Sequence, residues 1–484
     1  MKKKFLFAIY FLLASCSGSG SSYQGSVGGP LSLKFETLSV PNVENVNGIW
    51  WGENKSKIVR SSDKIFTMTI DDDPTGRPFT IQLLERDIDT KALTLGITLS
   101  ASTAPDILID SSNVVHVIAF EPFATNPYDG KYVHYKMSAA NTVVGAFTKA
   151  DAGTFLPASG TSTTSDFGTI YGSAAMDSSD NIYIVYNNST SNFNDVGECL
   201  TGSTDAVGPH SIGLRVYDGA SWSYEDVATT LPTRNAYPKV VVSDNYIHIA
   251  AVEDEFKSSL RNNPAISPAT GDTYCSYAFL YGEINYFSRT KISATWTHHK
   301  VLDFNSTRTV AESYDMFLRL KDIEVTNGTV YMLYDSSDEP RSAAVFPGLS
   351  SMYLIKIDEG AGAWVTEHIN GSDTAPYKDI VNKAKLFVEA DGDPYVYFEG
   401  YELDTAIASS GSNDGAFWAV KNINTGVVHK NYKGPGSNHD YEPFVFSPSN
   451  GSDILDGETH FILYPRTDSV INQKPQLLKI IYDN

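Results

Sequence analysis

The segment Ala104-Pro-Asp-Ile-Leu-Ile-Asp-Ser-Ser-Asn-Val-Val-His-Val-Ile-Ala-Phe-Glu121 holds the pattern that decides the fold. An apolar run ends in a polar turn. A second apolar run follows and closes on an aromatic and an acid. The unit recurs as Ala174-Ala-Met-Asp-Ser-Ser-Asp-Asn-Ile-Tyr-Ile-Val-Tyr-Asn187 and as Pro238-Lys-Val-Val-Val-Ser-Asp-Asn-Tyr-Ile-His-Ile-Ala-Ala-Val-Glu253. Four more copies end at Asp71, Asp335, Glu399 and Pro465, which makes seven. Their Asp-Asn, Asn-Gly and Asp-Gly turns suit hairpins that need positive φ. The flanking runs of Val, Ile, Tyr and Phe read as strands. Two weaker strands follow most copies, and Trp222, Trp296 and Trp364 open several of the fourth ones. Seven units of four strands describe an all-β, seven-bladed β-propeller. No sustained 3.6-residue period competes with this reading, so helices should be few.

A ring of blades must close. The last copy is followed by one further strand, Gln476 to Tyr482, and lacks its outer one. The alternating stretch Leu31-Ser-Leu-Lys-Phe-Glu-Thr-Leu-Ser-Val40 is predicted to fill that place and remove an exposed edge. Residues 31–484 then form a single propeller. The units resemble degenerate Asp-box (sialidase-like) and polysaccharide-lyase propellers. Val216-Tyr-Asp218-Gly219-Ala-Ser-Trp222 and Asp358-Glu-Gly360-Ala-Gly-Ala-Trp364 come nearest to the Asp-box pattern, with spacings of their own.

The chain begins Met-Lys-Lys-Lys, followed by an apolar run from Phe5 to Leu13 and then Ala14-Ser15-Cys16. Basic residues before a short apolar run read as an export signal over residues 1–15. The run is too short to span a bilayer. Its ending resembles the bacterial lipobox, which implies cleavage before Cys16, acylation of that cysteine and anchoring in the bilayer. In the enterobacterial sorting scheme of such lipoproteins, Ser17 in place of an acid implies the outer membrane of the cell envelope. Residues 16–30 are rich in Gly and Ser and read as a flexible tether with a reach of roughly 20 Å.

The formal charge is −21. An acidic surface argues against nucleic acid as a partner and makes polyanions poor ligands unless a local basic patch exists. The sequence shows no Lys/Arg cluster beyond the leader. Glycans or envelope proteins are the expected partners.

Aligning the second strands produces two columns. The first holds Ile70, Phe120, Tyr186, Val252, Tyr334, Phe398 and Tyr464. The next holds Asp71, Glu121, Asn187, Glu253, Asp335, Glu399 and Pro465. Five carboxylates in one column form a candidate binding rim (Asp71, Glu121, Glu253, Asp335 and Glu399). They read either as a site for cations, basic partners or sugar hydroxyls, or as acids that accept loop amides. Facing sheets stand about 10 Å apart, whereas calcium takes oxygens at roughly 2.3–2.6 Å. Calcium is therefore admitted only with loop ligands, and no cofactor is expected.

Long stretches follow the second strands of blades three to six and supply His210, Arg261, Tyr274 and Arg341 as candidate ligand contacts. Cys199 and Cys275 lie in two of them. With Cys16 lipidated, these two are expected to form a disulfide in an oxidising compartment. His116, His248 and His460 share a column but fall on different blades, so they read as packing residues and no metal site is expected. Propeller lyases use a His/Tyr/Arg group, for which His134, Tyr135, His210, Tyr274 and Arg215 are the available members. No catalytic residue is assigned. A binding module is the leading expectation, with a polysaccharide-degrading lyase or glycosidase as the alternative.

Overall fold

The computed structural model describes residues 31–40, 55–71, 78–123, 126–154, 172–189, 210–231, 234–256, 279–280, 282–303, 317–337, 350–369, 380–401, 416–432, 441–455, 458–465 and 475–482. The first strand among the described residues is β1 (Ser32–Thr37). Blade one is β2 (Ile58–Arg60), β3 (Lys64–Asp71), β4 (Phe79–Asp87) and β5 (Leu93–Ala101). Blade two is β6 (Asp106–Ile109), β7 (Val115–Phe123), β8 (Asn126–Met137) and β9 (Phe147–Thr154). Blade three is β10 (Ser173–Met176), β11 (Ile182–Ser189), β12 (His210–Tyr217) and β13 (Trp222–Leu231). Blade four is β14 (Arg234–Val242), β15 (Tyr246–Phe256), β17 (Glu283–Thr290) and β18 (Thr297–Asp303), with the short β16 (Phe279–Leu280) paired to the end of β15. Blade five is β19 (Phe317–Thr326), β20 (Thr329–Ser337), β21 (Ser350–Asp358) and β22 (Trp364–His368). Blade six is β23 (Ile380–Val388), β24 (Pro394–Tyr401), β25 (Ala416–Asn422) and β26 (Val428–Tyr432). Blade seven is β27 (Tyr441–Val445), β28 (Glu458–Pro465), β29 (Gln476–Ile481) and the first strand, in the order β1-β29-β28-β27. All pairings are antiparallel, and the ring is a seven-bladed propeller closed by its N-terminal strand.

Closure has a visible chemistry. Ser32 lies opposite Ile481 and Thr37 opposite Gln476. The strand itself is largely exposed, but Leu31, Leu38 and Val40 at its flanks are buried. Leu31 packs with Phe387 and Phe461 of blades six and seven, whereas Leu38 and Val40 pack with blade one. Arg86 of blade one grips both carboxylate oxygens of Glu36, a two-pronged bond that suits the planar guanidinium.

The hairpins follow from their turn residues. Asn327 and Gly328 both take positive φ (49° and 74°) between the paired residues Thr326 and Thr329, as a two-residue hairpin requires. In the founding repeat, Asp110 Oδ1 accepts from the Ser112 and Val114 amides, which stabilises the bend at Asn113. The same acid reaches a ring six residues on, because Asp110 Oδ2 meets His116 Nε2 at 3.1 Å. Blade three repeats this with the Tyr183 hydroxyl donating to Asp177 at 2.9 Å.

The core lies between blades rather than at one centre. Leu333, Met352 and Leu354 of blade five, for example, pack with Leu386, Val396 and Phe417 of blade six. All seven members of the first sequence column are buried. His116, His248 and His460 are buried as well, each in its own setting. His248 bonds the Tyr286 hydroxyl at 2.7 Å and Glu359 at 2.8 Å. Arg60 donates to His460 Nδ1 at 3.4 Å, so that nitrogen carries no proton.

Candidate functional site

The innermost strands carry charge where an apolar interior would be the simplest outcome. Lys55 and Lys57 precede β2, and Asp106 opens β6. Lys239 lies on β14, Lys321, Asp322 and Glu324 on β19, and Lys383 and Lys385 on β23. All but Lys239 among these are buried. Lys55, Lys239, Asp322, Glu324 and Lys385 line one space near the axis of the ring, and Asp106 adjoins it through Lys55. The sequence shows no such basic cluster, because five separate segments contribute to it.

Each described charge in this space has a partner. Lys55 Nζ lies 3.5 Å from Asp106, which also accepts the Ser56 amide at 2.7 Å. Burial pushes Lys55 down and Asp106 up, and their mutual attraction opposes both shifts. Lys239 pairs with Asp322 Oδ1, and Asp322 Oδ2 accepts the Leu386 amide at 3.1 Å. One carboxylate therefore ties the inner strands of blades four, five and six. Lys385 Nζ donates to the Lys321 carbonyl at 3.3 Å. Lys57 Nζ sits 3.7 Å from the centroid of the Phe444 ring, where the negative face of the ring attracts a cation.

One end of the axial space is plugged by the connection between β27 and β28. Ser447 caps a 3-10 turn, Pro448–Asn450, by accepting the Ser449 amide at 3.0 Å. This segment belongs to blade seven, yet Ser449 donates to Glu324 of blade five at 3.0 Å. Asn450 Nδ2 donates to Ser56 Oγ at 2.8 Å and to the Ile58 carbonyl at 3.0 Å in blade one. Contacts on opposite sides of the ring mean that the segment crosses the axis. Gly451 turns away at φ +80°, and a Cβ there would stand 1.8 Å from the Ile109 carbonyl oxygen. Only glycine allows so close an approach.

Under this plug, burial pushes the Glu324 carboxyl up to about 7, with Asp322 adding to the rise and Lys239 opposing it. A carboxyl raised above its unfolded value of 4.5 contributes stability that is full below pH 4.5 and is lost as pH rises through 7. The change is up to about 3 kcal/mol. His134 and His460 act in the opposite direction. Burial holds both down to about 3, so their stabilising share is present above pH 6.5 and is lost as pH falls. Urea unfolding of Glu324→Gln and wild type at pH 5 and pH 8 separates the two effects. The histidine share is common to both proteins, so between these values the wild type should lose up to about 3 kcal/mol relative to the variant, and equal pH dependence would contradict the assignment.

The rim residues of the second strands occupy equivalent registers. Asp71 ends β3 opposite Thr80. Glu121 accepts the Tyr135 hydroxyl, and Lys149 Nζ lies 2.7 Å from its other oxygen. Glu253 is buried opposite Asn235 and has a partner of its own. Arg319 donates to Asp335 through two nitrogens at 3.1 and 2.6 Å, and Lys321 stands 3.7 Å away. Glu399 accepts the Tyr397 hydroxyl at 2.8 Å and faces Lys383 across the ladder. Glu121, Asp335 and Glu399 thus meet basic and hydroxyl groups of their own sheets.

His134 and Tyr135 do not converge. His134 Nε2 meets His116 Nδ1 at 2.8 Å, and its ring packs on Tyr217 and Trp222. Tyr135 turns to Glu121 on the opposite sheet face, as neighbours in a strand must. The guanidinium of Arg215 lies 5.3 Å from the Tyr224 ring. His210 begins β12 opposite Ser189. Cys16, Cys199, Arg261, Tyr274, Cys275 and Arg341 lie outside the described residues, so the disulfide and the loop contacts do too. No group of three or more His, Cys, Asp or Glu among the described residues is arranged to hold a metal. No described helix is long and apolar enough to cross a membrane.

No protein family matches this sequence, and no curated protein matches it either. Among solved structures, the chain is similar to an ulvan lyase of polysaccharide lyase family PL25. The TM-score is 0.52 at 9% identity, over 92% of this chain and 95% of that one. An apocarotenoid oxygenase of Synechocystis covers 94% of both chains at 8% identity with a TM-score of 0.43. The GH93 alpha-L-arabinofuranosidase of Fusarium graminearum covers 78% of this chain and 93% of its own at 8% identity, with a TM-score of 0.37. At such identities the likeness is one of fold: this chain is a seven-bladed propeller.

Proposed function

We propose that this chain is an exported, lipid-anchored envelope protein whose propeller is a glycan-binding module. The observation that carries the reading is the state of the described rim acids. Glu121, Glu253, Asp335 and Glu399 all have protein partners. Hydrolysis of a glycoside requires one carboxyl kept protonated and a second carboxylate about 5–9.5 Å away, both turned to the sugar. Acids bound by Arg319 and by the Tyr397 hydroxyl instead build a rigid polar frame. Rigid scaffolds of this kind display loops for recognition.

A second reading, a polysaccharide lyase, is favoured by the likeness to the ulvan lyase along 92% of the chain. A glycan array followed by an activity screen on uronate polysaccharides decides between the readings. The binding reading expects retention of one glycan class with no new ultraviolet absorbance. Unsaturated products absorbing in the ultraviolet would replace it with the lyase.

A further inference from the structure

The plugged end of the axial space holds a partly open pocket of about 30 Å³, lined in part by Lys55, Lys239, Lys385, Glu324, Ser447 and Ser449. That is room for one or two water-sized occupants. The carboxylates in its wall already accept from the protein. Asp322 takes Lys239 and the Ile323 and Leu386 amides. Glu324 takes the Ser449 hydroxyl. Donors are in surplus. An ammonium carries three N–H groups, yet Lys55 makes one hydrogen bond, at 3.5 Å to Asp106, with the Tyr132 ring centroid 5.9 Å away. Lys239 makes one to Asp322. Ser56 Oγ accepts from Asn450, which leaves its own proton to give.

We propose that this cavity is a binding site for a small inorganic monoanion of halide size, held between Lys55 and Lys239. An occupant that only accepts matches the spare N–H groups of Lys55 and Lys239. A water would bring two further protons to a wall with few open acceptors. The upward shift of Glu324 fits this, because a protonated carboxyl removes one negative charge from the wall. The site lies at the plugged end, so it does not depend on what the loops recognise.

Chloride titrated against gluconate at constant ionic strength tests the proposal on the full chain. Above the dissociation constant, the folding equilibrium constant should rise about tenfold for each tenfold rise in chloride. Bromide should act alike, and a bromide-soaked crystal should show anomalous density in the cavity beside Lys55. Lys55→Met should abolish the chloride dependence. If that variant fails to fold, Ser56→Ala keeps every charge and should weaken the dependence several-fold. A folding constant indifferent to chloride, or bromide found only on the surface, would overturn the site. Glycan binding is read separately on the array, so either idea can fail alone.

Discussion

A chain lacking residues 31–40 should lose on the order of 5 kcal/mol of stability. The first strand closes the ring, and Leu31, Leu38 and Val40 are the buried apolar groups it brings. Each contributes about 1.5–3 kcal/mol by leaving water. The six-residue ladder with β29 adds bonds worth about 1 kcal/mol net apiece, roughly offset by the entropy of ordering the same backbone. Deletion would also bare β29 as an edge strand and invite association. Equilibrium urea unfolding followed by tryptophan fluorescence measures the loss. Leu38→Ala alone should cost about 2–5 kcal/mol, because its site joins blade one to the closing strand. Removing Glu36 should cost only about 1 kcal/mol, since that carboxylate is a third exposed. A deletion variant with the wild-type midpoint would show that the ring closes without this strand.

Asp322→Ala should cost about 3–5 kcal/mol, the usual result of breaking a buried ion pair from one side. The substitution leaves Lys239 charged beside Glu324 with its closest partner gone, and it also strips the Leu386 amide of its acceptor. Lys239→Met should be costly for the matching reason. The double variant Lys239→Met/Asp322→Leu should recover part of the loss, because apolar groups of similar volume often replace a buried pair at little net cost. A double-mutant cycle in urea reads this coupling. Single variants that cost under about 1 kcal/mol, with no coupling between them, would mean that the pair does not bind the three blades together.

Strand order was legible for a simple reason. A hairpin is local, so Asp110-Ser-Ser-Asn113 and Asn327-Gly328 announce their turns in the residues themselves. The closing role of residues 31–40 was legible because a four-stranded repeat with one member missing asks for it. The rim column was legible as a register, and Asp335 and Glu399 do lie at equivalent places on β20 and β24. Their partners were not. Arg319 and Asp335 are sixteen residues apart and meet only because β19 and β20 pair.

The axial cluster was invisible for a deeper reason. Asp322-Ile-Glu324-Val and Lys383-Ala-Lys385-Leu alternate with apolar residues as they would on a water-facing strand, so nothing in either segment marks them as internal. The sequence by itself determined the blade repeat and the strand that closes the ring, because those depend on short-range periodicity and turn chemistry, and the structure fixed the count at seven. Only the tertiary structure decided that Lys55, Lys239, Asp322, Glu324 and Lys385 share one buried space under a plug from blade seven. That meeting requires closing a ring of seven sheets, and no local pattern encodes which side chains the closed ring turns toward its axis.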